Sequence, residues 1–187
     1  MTTSTSSLTT TQRAVRYLET VHRRIERDNA AKATLKRALT GEPRHLRAVY
    51  PILLPELNEI GVKYHQNEWI FVACLFAYYP QPLDPTRQQN FGHAVRGLVG
   101  EGNSGGADRR FRALLDASLD NLRTPMAALV RLLKTKAISI NYPKLIVDLA
   151  SWEHPDQYIQ DNWARAFWGA PTKPQDDLES NLNPEAK

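Results

Sequence analysis

The run Trp69-Ile-Phe-Val-Ala-Cys-Leu-Phe-Ala-Tyr-Tyr79 decides the fold. It holds no charge, no glycine and no proline. It is longer than a typical buried strand of about 4–8 residues and falls short of the ~18 needed to span a bilayer. A helix apolar on nearly every side belongs at the centre of a core. The spacing predicts that helix over 68–79, with Asn67 placed to cap it and Pro80, Pro82 and Pro85 making a rigid exit.

Upstream, Ala14, Val15, Leu18, Val21 and Ile25 recur at three- and four-residue spacing, which predicts a helix from Gln12. A turn near Asn29 leads to a second helix over 31–39, stopped at Thr40-Gly41-Glu42-Pro43. A short helix over 45–50 follows, with Pro51 and Pro55 limiting what comes next. Residues 1–11, rich in Ser and Thr, offer nothing to bury and are expected to be disordered. They also lack the basic and apolar regions of a secretion signal, which points to the cytoplasm.

Downstream, Thr86 is expected to cap a helix reaching about Val99. Gly100-Glu-Gly-Asn-Ser-Gly-Gly106 reads as a loop between a helical half over 12–99 and another over 107–168. Asp108 opens an amphipathic helix through Leu119 or Leu122, and Thr124-Pro125 either caps the next helix, to about Lys136, or kinks one longer helix. Asn141-Tyr-Pro143 starts a helix ending near Trp152, a last helix spans about 156–168, and the tail from Gly169 is expected to be loose. Ala137 to Ile140 is the sole strand candidate. The expected fold is all-α, a compact bundle of about eight or nine helices.

With 187 residues and 42% apolar content the chain can build a real core. A single cysteine, Cys74, excludes an internal disulfide and a cysteine-based metal site. The net charge is +4, and its distribution says more than its total. Residues 12–50 hold ten Lys or Arg against four Asp or Glu; residues 87–136 hold nine against four; residues 151–187 hold three against seven. The cationic excess is therefore confined to two helical regions.

On the first helix Arg16, Arg23 and Arg27 fall in one stripe roughly 40° wide at about 100° per residue. Arg13 and Arg24 flank it, and Ala14, Leu18, Val21 and Ile25 lie opposite. Lys32, Lys36 and Arg37 extend the surface into the second helix, and Arg44 follows. In the second region Arg109, Arg110 and Arg123 lie off the apolar face, followed by Arg131 and Lys134. Guanidinium and ammonium groups in rows suit phosphate, giving sequence-independent, salt-sensitive binding. A solvated helix face is the alternative for any one of these helices.

No catalytic constellation stands out. Gly100-Glu-Gly-Asn-Ser-Gly105 has dinucleotide-loop spacing but follows a helix where a strand is needed, and carries acids that repel pyrophosphate. The five histidines, His22, His45, His65, His93 and His154, lack local zinc spacing, although His22 on the basic helix could touch phosphate. Asp148, among Leu145, Ile146 and Leu149, reads as a structural ion pair or cap, and Glu68 carries no catalytic signature. Trp69, Trp152, Trp163, Phe167 and Trp168 read as core. No catalytic residue, metal or cofactor is expected.

Four segments carry a family resemblance: Thr34-Leu-Lys-Arg-Ala-Leu39, Trp69 to Ala77, Asp108-Arg-Arg-Phe-Arg-Ala-Leu-Leu115, and Asn141-Tyr-Pro-Lys-Leu-Ile-Val-Asp-Leu149, the last continuing to Trp152 and then Trp163-Ala-Arg-Ala-Phe-Trp168. In order and spacing the chain, from about Gln12 to Trp168, resembles the CasB family, the small subunit of the type I-E CRISPR surveillance complex Cascade. The resemblance implies an all-α subunit without nuclease activity. It implies two copies side by side along the guide-RNA backbone assembly, near the large subunit, holding the displaced strand of target DNA. Lys36 and Arg37 match the family's basic pair in the second helix, and Arg109 and Arg110 its Arg-Arg-Phe segment. Arg23, Arg24, Arg27 and Arg44 match further basic positions. Tyr17 stands where many members start the first helix with Trp, and the leader and tail have no counterpart. Three other readings remain open: an autonomous helical DNA-binding protein, a structural adaptor for acidic protein surfaces, and an enzyme acting on RNA.

Overall fold

The computed structural model describes residues 8–84, 86–99 and 104–169. Among the described residues it is all-α, with helices α1 (Thr10–Arg27), α2 (Asn29–Arg37), α3 (Pro43–Glu59), α4 (Gln66–Tyr78), α5 (Phe91–Arg96), α6 (Ser104–Leu115), α7 (Arg123–Thr135), α8 (Tyr142–Ala150) and α9 (Tyr158–Trp168), and a 3-10 turn over Ala38–Thr40.

Helix α4 is the centre, as its sequence requires: every residue from Glu68 to Ala77 is buried, and α1, α2, α3, α7 and α8 all pack against it. Its start differs from expectation. The N-cap is His65, in the left-handed region at φ 57°, while Asn67 lies inside the first turn and gives its carbonyl to Arg123. At the other end Tyr142 Oη donates to the Tyr79 carbonyl at 2.9 Å and Lys134 Nζ to that of Tyr78 at 3.0 Å. Carbonyls that the helix cannot satisfy by itself are thus taken by α7 and α8.

Helix α1 buries Ala14, Tyr17, Leu18, Val21 and Ile25. It begins at Thr10, two residues before Gln12, because Thr9 and Gln12 form a reciprocal capping box. The remainder of the expected disordered leader, residues 1–7, lies outside the described residues. Asp28 both ends α1, through its N–H to the Arg24 carbonyl, and caps α2, accepting from Ala31 N at 2.9 Å.

Helix α3 corrects the reading of Pro51 and Pro55 as limits: both sit inside one continuous helix. They are four residues apart on its exposed side, opposite buried Val49, Leu53 and Leu57. The carbonyls that lose their donors there face water, which lowers the penalty a proline carries in a helix interior.

The expected helix from Thr86 to Val99 is shorter. Asp84 takes the Thr86 hydroxyl and N–H at 2.6 and 2.9 Å, and Asn90 caps α5 instead. Helix α6 starts at Ser104 and so absorbs the last glycines of the expected loop; residues 100–103 lie outside the described residues. It ends at Leu115, and Leu119 and Leu122 belong to the turn before α7. Pro125 occupies the first turn of α7, where no amide hydrogen is required, so it neither kinks a longer helix nor follows a Thr124 cap. Asn141 caps α8 with Pro143 in its first turn, as the sequence predicts.

The strand candidate Ala137–Ile140 is not a strand. Ala137 has φ 52°, and the Gln81 amide takes the place of a neighbouring strand, accepting from Ile140 N at 2.7 Å and donating to the Ile138 carbonyl at 3.5 Å. Residues 12–99 and 107–168 share one hydrophobic core: α8 packs on α1 and α4, and α5 on α9. The α5–α9 contact is close enough that a β-carbon on Gly92 would lie 2.2 Å from the Trp163 carbonyl oxygen. No helix among the described residues is long and apolar enough to cross a membrane.

Candidate nucleic-acid interface

The core fixes which cations can meet. Packing α2 on α4, and α7 on α4 and the 3-10 turn, brings the two basic regions of the sequence together. At their junction the Lys36 ammonium has its pKa lowered, first by burial and then by the charges of Lys32 on α2 and Lys134 on α7. Three like charges are thus held within electrostatic reach, an arrangement that disfavours protonation and that a phosphate would relieve. Arg131 is exposed one turn before Lys134, and Arg37 is exposed beside Lys36 at the end of α2.

Lys134 also serves the fold. Besides its bond to the Tyr78 carbonyl, its Nζ lies 4.3 Å from the Tyr78 ring centroid. Arg123, at the other end of α7, donates to the Asn67 carbonyl at 3.3 Å and stacks 4.9 Å above Phe71. These two expected nucleic-acid contacts therefore also clamp α7 across both ends of α4.

On α1 and α3 the expected row is partly paired within the chain. Arg16 meets Glu59 at 3.7 Å, Arg24 meets Asp28 at 3.6 Å and Arg44 meets Glu42 at 2.7 Å. All are exposed pairs of the kind worth about 0–1 kcal/mol, so a phosphate can replace the carboxylate. Arg23 donates to Thr20 Oγ1 at 3.0 Å, and Arg27 is exposed without an ion pair among the described residues. His22 is half-buried, 3.2 Å from Glu26 and edge-on to Phe76, so its ring is engaged within the protein.

Arg109 and Arg110 are exposed on α6, with Arg110 bonded to the Gly106 carbonyl at 3.1 Å. Next to them Arg112 pairs with Asp108 at 2.8 Å. The bonds from Arg112 and then the Trp168 indole hold the Asp108 carboxyl below its usual pKa. Trp168 corrects its reading as core: it is 42% exposed. Phe167 takes the inward register of α9, and the Trp168 ring lies outside it under the Arg112 guanidinium at 4.6 Å.

Asp148 is buried and accepts from Lys144 Nζ at 2.5 Å and Trp163 Nε1 at 2.8 Å, the structural role expected of it. Cys74 is buried, and burial pushes its thiol up to about 12, which leaves no reactive thiolate near neutrality. Among the described residues no three His, Cys, Asp or Glu side chains are placed to hold a metal ion. The reading of the sequence missed the loop Lys63-Tyr64-His65, whose Tyr64 is 80% exposed; its one signal is an aromatic between two basic residue types after the break at Gly61.

A compact all-helical protein that carries exposed basic side chains on several of its helices is the class that fold and site define. Residues 31–168 match the family described as CRISPR-associated protein Cse2, and the chain belongs to that family. Helix α1 precedes the matched residues. A CRISPR-associated protein Cse2 of Thermus thermophilus is 28% identical over 144 residues, covering 75% of this chain and 80% of the relative. The crystal structure of CasB from M. ruber superposes with a TM-score of 0.67 at 26% identity, covering 86% of this chain and 93% of that one. A chain of a CRISPR RNA-guided surveillance complex gives a TM-score of 0.67 at 24% identity, covering 85% and 93%, a likeness of fold alone.

Proposed function

We propose that this chain is the non-catalytic small subunit of a type I-E CRISPR surveillance complex in the cytoplasm, and that it binds nucleic-acid backbone to hold the displaced non-target DNA strand. Its partners are then the backbone and large subunits, guide RNA, target DNA and a second copy of itself. Membership of the Cse2 family and the fold shared with a surveillance-complex chain support the assignment to such a complex. The observation that carries the nucleic-acid reading is the packing of α2, which bears Lys32 and Lys36, and of α7, which bears the exposed Arg131 and Lys134, on the same helix α4. Exchange of a DNA duplex for a guide heteroduplex is nearly balanced in free energy, so a few backbone contacts can tip it. Those contacts release counterions and weaken steeply with salt.

The test is chemical reactivity along the displaced strand of a bound target, with and without this chain in the guide-loaded complex. Protection that depends on the chain, and falls when Arg109 and Arg110 or Lys32 and Lys36 are reversed to Glu, is the expected outcome. Equal reactivity with and without the chain rejects the clamp. A structural adaptor is the second reading, favoured by the use of Arg123 and Lys134 within the fold. It predicts that charge reversal abolishes subunit assembly and leaves strand protection unchanged in whatever complex remains.

A further inference from the structure

We infer that the connection between α3 and α4 is a base-stacking site for single-stranded nucleic acid, with Tyr64 as the platform and Arg13, Lys63 and His65 as its phosphate contacts. The inference rests on the nucleic-acid reading above and adds to it a contact with bases. Tyr64 is 80% exposed, whereas the next most exposed large apolar side chain among the described residues, Trp168, is 42% exposed. So exposed a ring leaves its π-face free to stack on a flat partner.

The ring is held out by an ordered backbone. Val62 is buried, its N–H donates to the Leu57 carbonyl at 2.9 Å, and its own carbonyl accepts from Gln66 Nε2 at 2.7 Å. Gly61 at φ 73° and His65 at φ 57° turn the chain on either side. For His65 that conformation is strained, and such strain clusters at binding sites. Beside the ring lies an open cleft of about 470 Å³ lined by Arg13, Lys63, Tyr64, His65, Trp69 and Ser151, among others, and by no carboxylate. Glu68, the nearest acid in sequence, lines a separate small cavity with Arg123.

A flat aromatic surface beside a cleft that holds Arg13, Lys63 and His65 and no carboxylate matches a nucleotide, which offers a π-face and a phosphate a few ångströms apart. It is the combination that single-strand-binding grooves use, and it tolerates any base. An acidic peptide would satisfy the cations but gives the exposed ring no partner of its own shape.

Fluorescence anisotropy of the full-length chain with labelled oligo-dT, oligo-U and an abasic oligonucleotide of equal length tests this. Tyr64→Ala is expected to weaken binding of a base-bearing strand about five- to hundredfold, from the usual worth of one stacked base. Tyr64→Phe keeps the ring and is expected to bind like the native chain. On the abasic strand Tyr64→Ala and the native chain are expected to bind alike. A stronger effect with oligo-dT assigns the site to displaced DNA, and with oligo-U to guide RNA. Native affinity of Tyr64→Ala, with weakened binding by Lys36→Gln, overturns the stacking site and leaves the basic-surface reading standing. Failure of the native chain to bind any strand overturns both. Equal loss on abasic and base-bearing strands, or competition by poly-glutamate as effective as by oligonucleotide, assigns the ring to another role and overturns the inference.

Discussion

The indole Nε1 of Trp163 donates a 2.8 Å hydrogen bond to Oδ2 of Asp148, and both side chains are buried. The bond ties α9 to α8, and the other carboxylate oxygen meets Lys144. Asp148→Ala leaves an indole N–H buried without a partner and is expected to cost about 2–4 kcal/mol. For a chain of this size that lowers the melting temperature by about 5–15 °C. Trp163→Phe removes donor and bulk together, and Asp148→Ala in that background is expected to cost less than alone. Equal costs in both backgrounds, measured by urea unfolding, would mean the bond carries no coupling.

Gly92 tests the joint between α5 and α9 from the other side. A β-carbon there would meet the Trp163 carbonyl oxygen at 2.2 Å, backbone that cannot swing aside. Gly92→Ala is therefore expected to destabilise the protein by about 1–3 kcal/mol through overpacking, although alanine is the better helix former. Thermal melting checks this, and a more stable variant would contradict the close approach.

Lys36 is predicted to trade stability against binding. Its pKa is lowered by burial and by Lys32 and Lys134, so folding penalises the charged form. That penalty is fully present below the folded pKa and is relieved as pH rises from there toward the ordinary 10.5. Lys36→Gln is expected to be at least as stable as the native chain at neutral pH. It is also expected to bind nucleic acid more weakly, with the slope of log K against log salt reduced by about 1. An unchanged salt slope would remove Lys36 from the interface.

His93 is predicted to make stability sensitive to acid. Burial, and then the Arg96 charge, lower its pKa below 6.5. The folded state therefore favours the neutral ring, and its stability contribution is present above 6.5 and lost as pH falls from there through the folded pKa. His93→Gln is expected to flatten the fall in urea midpoint between neutral pH and about pH 5, where histidine titrates. Identical pH profiles for the two proteins would assign the acid response elsewhere.

What the sequence determined by itself is what neighbours within one or two helical turns decide. The all-helical class, the central place of 69–77, the buried face Ala14, Leu18, Val21 and Ile25, and the Asn141–Pro143 start of α8 are all local, because helix periodicity and capping act between residues i and i+4. The concentration of cations in two segments was legible for the same reason. Only the tertiary structure decided how distant pieces combine. The Gln81 amide stands in for a strand beside Ile138 and Ile140, and the register of α9 turns Phe167 inward and leaves Trp168 at the surface. Pro51 and Pro55 are accommodated because α3 buries only its opposite side. Above all, Lys36 and Lys134 come within electrostatic reach of each other because α2 and α7 both pack on α4. Contacts between residues far apart along the chain depend on which faces the core brings together, and that is settled by the packing of all the helices at once rather than by any one of them.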